Sequence, residues 1–255
     1  MKREAVKNLS LWQFDNLRAE PGVKHFVTDR NSGDSEFTLS LSSLPDKEKV
    51  RNHRRQLASA MGVSPDHLFL PSQIHGTAIL EVSSSTTKEE LHDIDALITS
   101  TKGVCIAVMS ADCVPILLYD KRNHVVAAVH SGWRGTVARI LEKTLATLND
   151  KFGTRGEDIV AGIGPSVSQD SYEVGEEVIG EIRKSFDLHH ELLLTQPLNK
   201  AKLDLWKANR LQLLAFGVPE NQIETSELCT VKHNNHFFSA RKGDSGRFAA
   251  GIMLL

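Results

Sequence analysis

The spacing of apolar positions changes along the chain, and the changes divide it into elements. Over 46–61, Val50, Leu57, Ala58 and Met61 share one helical face, with Asp46 placed as an N-cap and Gly62 as a stop. The middle of the chain is different: Ala96–Thr99, Val104–Met109, Val114–Tyr119 and Val125–His130 are short, β-rich runs. Thr101-Lys102-Gly103 and Asp120-Lys121-Arg122-Asn123 separate them as turns. Runs apolar at successive positions predict strands covered on both faces. A helical period returns near Thr136 and runs through Val137, Ile140, Leu141, Leu145, Leu148 and Phe152 to Gly153. Beyond it the pattern predicts a strand at Ile159–Ile163, helices near 174–186 and 204–216, and a closing strand at Phe248–Leu254. The Ser/Thr stretch at 83–87 reads as a loop, and neither a repeat nor a linker interrupts the chain. The expectation is an α+β fold, a single domain over residues 1–255 in which helices cover a mixed β-sheet.

Composition narrows the partners. Thirty Lys plus Arg stand against 32 Asp plus Glu, a formal charge of −2, which argues against nucleic acid, since that needs a concentrated basic surface. A small-molecule partner is expected. Three cysteines, at 105, 113 and 229, are too few and odd in number for a disulfide framework and favour a reducing compartment. The first residues, MKREAVKNLSLWQFDNL, lack the apolar core of a signal peptide. No apolar run reaches the roughly 20 residues that span a bilayer. The expectation is therefore a cytoplasmic monomer with no membrane contact.

Three short stretches look built for chemistry: Gln73-Ile74-His75-Gly76, Ser110-Ala111-Asp112-Cys113, and His130-Ser131-Gly132-Trp133-Arg134-Gly135. Taken alone, His75 reads as a loop histidine and Cys113 as a small buried hydrophobe. Asp112, a carboxylate among apolar strands, must be paired or hydrogen-bonded. Together, two His and one Cys suit a catalytic zinc with an open fourth position. The separations, 113 − 75 = 38 and 130 − 113 = 17, lie far outside a zinc-finger pattern. A Cys113–His130 nucleophile pair is the rival chemical reading. The Gly132–Gly135 turn, with Arg134 and the helix expected to begin near Thr136, is a candidate anion site. H-E-x-x-H, the zinc deaminase signature, the P-loop and G-x-G-x-x-G are all absent. His189-His190 and the H-x-x-H pair His233 and His236 read as exposed polar residues.

At these stretches the chain resembles the YfiH family, the laccase-domain or multicopper polyphenol oxidase proteins. The resemblance runs from about Val23 to Leu255. It is carried by Gln73-Ile74-His75-Gly76, DALITS at 95–100, SADCVPILLYD at 110–120 and VHSGWRG at 129–135. IGPSVSQDSYEVGEEV at 163–178, CT at 229–230 and FFSARKGDSGR at 237–247 complete it. The resemblance implies a single α-β-α sandwich, shared distantly with a bacterial cytotoxic deamidase toxin whose Cys–His pair works without metal. It implies zinc on His75, Cys113 and His130. It also implies phosphorolysis of adenosine, inosine and methylthioadenosine, and deamination of adenosine. An editing role in peptidoglycan precursor synthesis is a further possibility it raises. Two departures bear on substrate: Ser40 replaces the Asn of an L-N-L motif, and Ala240-Arg241-Lys242 stands where members read Y-R-R. Lys cannot reproduce the bidentate fork of Arg. Laccase chemistry is disfavoured, because a multicopper cluster needs H-x-H pairs beside an H-C dipeptide; adventitious copper at His₂Cys could still oxidise weakly in vitro. On this reading Asp112 transfers a proton or orients the metal shell, and Arg134, Arg30 and Arg241 are the candidates to hold phosphate.

Overall fold

The computed structural model describes residues 1–32, 36–43 and 46–255. Among the described residues fifteen strands and seven α-helices follow in chain order. Strands β1 (Lys2–Val6), β2 (Leu9–Gln13) and β3 (Val23–Thr28) open the chain, with helix α1 (Asp15–Arg18) between the second and third. Helix α2 (Lys47–Met61) precedes β4 (Leu68–Phe69), β5 (Ile79–Glu81) and β6 (Ala96–Thr99). The central strands are β7 (Cys105–Ser110), β8 (Val114–Asp120) and β9 (Val125–Ser131). After α3 (Trp133–Val137) and α4 (Ile140–Phe152) come β10 (Ile159–Ile163), β11 (Glu173–Val174) and α5 (Glu176–Ser185). Helix α6 (His189–Leu192), β12 (Leu193–Gln196), β13 (Lys200–Leu203), α7 (Leu205–Ala215), β14 (Ile223–Thr225) and β15 (Phe248–Leu254) complete it.

The α+β sandwich is as expected, with its β layer doubled. One six-stranded sheet has the order β1-β2-β3-β15-β7-β4, and a second has β14-β10-β8-β9-β6-β5. Alternation along β8 shows why both are needed. Leu117 and Tyr119 face the first sheet, meeting Val27, Val108, Ala250 and Ile252 in one apolar layer. Ile116 and Leu118 point the other way, onto Ile140, Leu141, Leu145 and Leu148 of α4 and Ala208 and Leu213 of α7. The outer face of the first sheet (Phe26, Cys105, Ala107, Ala249, Met253) packs against Leu57, Ala60 and Met61 of α2. Every central strand is thus covered twice, which is why the sequence reads as continuous apolar runs.

Helix ends follow the residues named from the sequence. Asp46 accepts the N–H groups of Glu48 and Lys49, and Gly62 closes α2 at φ 83°. The single helix expected from Thr136 to Phe152 is two. Helix α3 already starts at Trp133, and Arg139, at φ 62°, breaks the run before α4. The Arg139 guanidinium lies over the Phe186 ring at 4.1 Å, so a side-chain contact the period does not encode accompanies the break. His236 is not simply exposed either: its Nδ1 lies 2.8 Å from the fully buried Asp29 carboxylate.

Candidate metal centre

Strand register brings the three stretches together. In the β8–β9 hairpin Val114 pairs with Ser131 and Pro115 with His130, so Cys113, one residue before β8, lies beside the end of β9. The Ser110 hydroxyl donates to the Cys113 carbonyl at 2.5 Å and tightens the β7–β8 turn. Strand β6 pairs with β9 on the other side, Ala96 opposite Val129, and His130 N–H donates to the Asp95 carbonyl at 2.8 Å. Asp95 then gathers the third stretch. Its fully buried carboxylate accepts the backbone N–H groups of Ile74, His75 and Gly76 at 3.2, 3.0 and 2.7 Å. The Gln73 side chain fastens the same loop to β7, exchanging two hydrogen bonds with the Met109 backbone at 2.8 and 2.7 Å.

The outcome is that one donor atom each from His75, Cys113 and His130 lies within 4.8 Å of the other two. Two imidazole nitrogens and a thiolate at that separation fit a tetrahedral cation with one position left open. Among the described residues this is the single cluster of three or more such side chains. Gly132 shapes it. A Cβ there would stand 2.8 Å from Cys113 Sγ and 3.1 Å from His75 Cδ2, so only glycine leaves the cradle open. Two non-glycine residues of the site, His75 at φ 63° and Asp112 at φ 87°, are left-handed, a strain that persists only where surroundings enforce it. Asp95 enforces the first. Thr230 Oγ1 and Arg241 N–H, donating to the Asp112 carboxylate at 2.6 and 2.8 Å, enforce the second.

Asp95, inside the DALITS stretch, is a site residue that the sequence pattern does not mark. Its Oδ1 is 2.8 Å from His130 Nδ1, which fixes the ring and turns Nε2 toward the cluster. Burial pushes the Asp95 carboxyl up, but the hydrogen bonds from His130 and from Gly76 and Ile74 N–H outweigh it and hold it below the ordinary range. Burial likewise opposes the Cys113 thiolate, yet the charge of His130 and hydrogen bonds from both histidines bring it down to about 6. Burial disfavours the His130 imidazolium, and Cys113 together with Asp95 reverses that, raising it to about 9. Both shifts run toward a thiolate beside an imidazolium in the cation-free pair.

The cluster opens on a cleft of about 1460 Å³. Ser40, Asp112, Tyr172 and Arg241 line it with the three cluster residues. Arg241 reaches the Glu173 carbonyl at 2.9 Å and lies over the Tyr172 ring at 4.9 Å. Arg134 and Arg30 do not line it. Arg134 is an exposed residue of the five-residue α3, stacked over Trp133 at 4.4 Å, so the turn and helix entrance expected to cradle an anion do not exist in that form. Arg30 binds Asp244 at 3.2 Å and covers Phe238 at 4.6 Å, fastening two loops.

Similarity to known proteins extends over the whole of this architecture. The family described as multi-copper polyphenol oxidoreductase laccase matches residues 24–255. The chain belongs to the YfiH family. It is 43% identical to a purine nucleoside phosphorylase of Bacteroides thetaiotaomicron, covering 98% of each chain. It is 35% identical to adenosine deaminase RL5 of an unknown prokaryotic organism, covering 96% of this chain and 98% of that one. Among solved structures, the hypothetical protein YfiH of Bacillus licheniformis superposes with a TM-score of 0.90 at 27% identity, covering 99% and 98% of the two chains. YfiH-family membership and the sandwich fold agree with the resemblance read from the sequence. No helix among the described residues is long and apolar enough to cross a membrane.

Proposed function

We propose that this single-domain, cytoplasmic chain is a zinc-dependent purine nucleoside enzyme. It would cleave adenosine, inosine and methylthioadenosine with phosphate, and deaminate adenosine with water. The observation that carries the reading is the convergence of His75, Cys113 and His130 at a cleft. The names of the two most similar relatives reported above support the substrate class. Zinc bound to the three donors would supply a Lewis acid able to acidify water near neutral pH.

The chain's own residues do the rest. Asp95 keeps His130 in the tautomer whose Nε2 can ligate, and holds the His75 loop in place through three backbone N–H groups. Tyr172, whose phenol burial pushes up to about 12, stays protonated and offers a ring face and a hydroxyl to a purine. Asp112, held by Thr230 and Arg241 at the cleft wall, would take or return a proton during loss of ammonia. Arg241 keeps a cationic guanidinium at the same wall.

A specific observation favours a second reading. Cys113, His130 and Asp95 also form a nucleophile, base and orienting carboxylate, the arrangement a metal-free amide hydrolase would use. Turnover of a nucleoside panel by the purified full chain separates the two. Adenosine should give inosine and ammonia in water, and adenine and ribose 1-phosphate when phosphate is added, with both activities lost to a chelator. Absence of nucleoside turnover in zinc-loaded protein would contradict the proposal.

A further inference from the structure

Four arginines line the cleft from the other layer without a part in the metal centre, and Arg54 and Arg247 stand apart from Arg51 and Arg55 among them. Arg54 comes from α2, on the outer face of the first sheet, and Arg247 from the segment leading into β15. Both are half-buried. Among the described residues, no carboxylate pairs with either one. Arg54 donates Nε and Nη2 to the Leu39 carbonyl at 2.9 and 2.7 Å, committing two of the five N–H groups a guanidinium carries. Among the described residues Arg247 bonds backbone carbonyls of Asp244, Ser245 and Gly246 through Nη1, and none there takes up Nε or Nη2. The neighbouring Arg51 and Arg55 differ, since Glu48 answers both charges at 3.3 and 2.8 Å.

A hydroxyl pair belongs to the segment that both arginines bind. Leu39 N–H donates to the Arg247 carbonyl at 3.1 Å, so the segment bearing Ser40 is tied to both arginines. The Ser40 and Ser42 hydroxyls lie 2.9 Å apart on the same cleft wall. We infer that Arg54, Arg247 and the Ser40–Ser42 hydroxyls form a phosphate subsite of the cleft. Planar N–H forks without a carboxylate, joined by two hydroxyls, match the several acceptor oxygens of a tetrahedral dianion. Burial lowers Arg54 only to about 10, so it remains cationic at neutral pH while it has lost hydration that an anion would replace. The cleft has room for it, at about 1460 Å³ against the roughly 300–1,000 Å³ of ordinary small-molecule pockets. The subsite deepens the nucleoside reading: the group it holds is either inorganic phosphate or the phosphate of a nucleotide.

Calorimetry on the full chain tests this with three probes: inorganic phosphate, adenosine 5′-monophosphate and adenosine. Arg54→Gln and Arg247→Gln should each weaken the phosphate-bearing probes about tenfold or more, as a lost charge-assisted bond does, and leave adenosine unchanged. Arg54→Lys, which keeps the charge without the fork, should fall between. Binding of inorganic phosphate alone makes free phosphate the occupant; binding of the nucleotide alone makes it a phosphorylated nucleoside. The inference is overturned if neither phosphate probe binds wild type. It is also overturned if the variants bind them as wild type does, or lose all three probes together with a lowered thermal midpoint. Adenosine failing to bind wild type would instead count against the nucleoside reading and leave the phosphate result to stand or fall by itself.

Discussion

Two buried histidines have opposite fates in this molecule. His25, on β3, is 2% exposed; its Nε2 accepts the Phe14 N–H at 2.8 Å, and its ring stacks on Phe14. Burial brings its pKa down to about 4, so it is a neutral, packed ring at any ordinary pH. His130 is 4% exposed and should behave alike on burial alone, yet Cys113 and Asp95 hold it up at about 9. The cysteines repeat the contrast at the two ends of one turn-linked strand. Cys105 opens β7 against apolar neighbours and burial pushes its thiol to about 12, while Cys113, just past the other end, is drawn to about 6. Burial opposes the charged form in all four cases. The charged neighbours decide which group becomes a site.

The largest way to break the contrast is to remove the thiolate. Cys113→Ser should abolish zinc binding and lower nucleoside turnover about a thousandfold or more, since a Lewis acid contributes several kcal/mol at the transition state. Cys105→Ser, by comparison, should keep zinc and activity and show only a lower thermal midpoint. Metal content and kcat measured side by side check both.

His25 offers the next effect, on stability. The unfolded chain takes a proton on this residue near 6.5 and the folded chain only near 4, so unfolding takes up a proton between those values. Stability is therefore intact above pH 6.5 and falls as pH drops toward 4, by up to about 3 kcal/mol. Denaturant titrations of the metal-free chain across that window should show a shallower pH slope in His25→Gln than in wild type. Equal slopes would mean His25 does not carry the acid sensitivity.

A smaller effect sharpens the comparison at its hinge. Asp95→Asn keeps an acceptor for part of the loop but loses the charge beside His130. Zinc affinity should drop about 10- to 100-fold, with kcat per bound zinc falling less. A variant that loses zinc no more than wild type would deny Asp95 its positioning role.

The elements are largely legible in the chain's apolar pattern, and the site only in part. Strands β6, β10 and β15 lie at the residues where the apolar runs stand, and Asp46 and Gly62 bound α2 as their chemistry dictates. The first three strands went unseen: β1 is short and largely exposed, so its alternation leaves no apolar signature. His75, Cys113 and His130 were nameable as residue types, but what unites them is register, which periodicity does not contain. Asp95 escaped because a carboxylate just before a strand looks like a turn residue; its partners are 20 and 35 positions away. Arg54 escaped for a related reason. In Arg51-Asn52-His53-Arg54-Arg55 it resembles a solvated face, and only the fold turns its guanidinium inward onto Leu39.

The central claim is that the thiolate–imidazolium pair exists to receive a cation, and proton release on metal addition tests it most directly. In the chelator-stripped chain the Cys113 thiol is drawn down to about 6 by His130 and His75, while Cys113 and Asp95 hold the His130 proton up to about 9. Zinc must displace that proton. Titration at pH 7.5 should therefore bind about one zinc per chain, release about one proton and restore nucleoside turnover, with affinity rising about tenfold per pH unit from 6 toward 9 and levelling above it. Full activity in stripped protein, lost on alkylation of Cys113 and indifferent to zinc, would contradict the account and make the Cys113–His130–Asp95 set a metal-free nucleophile.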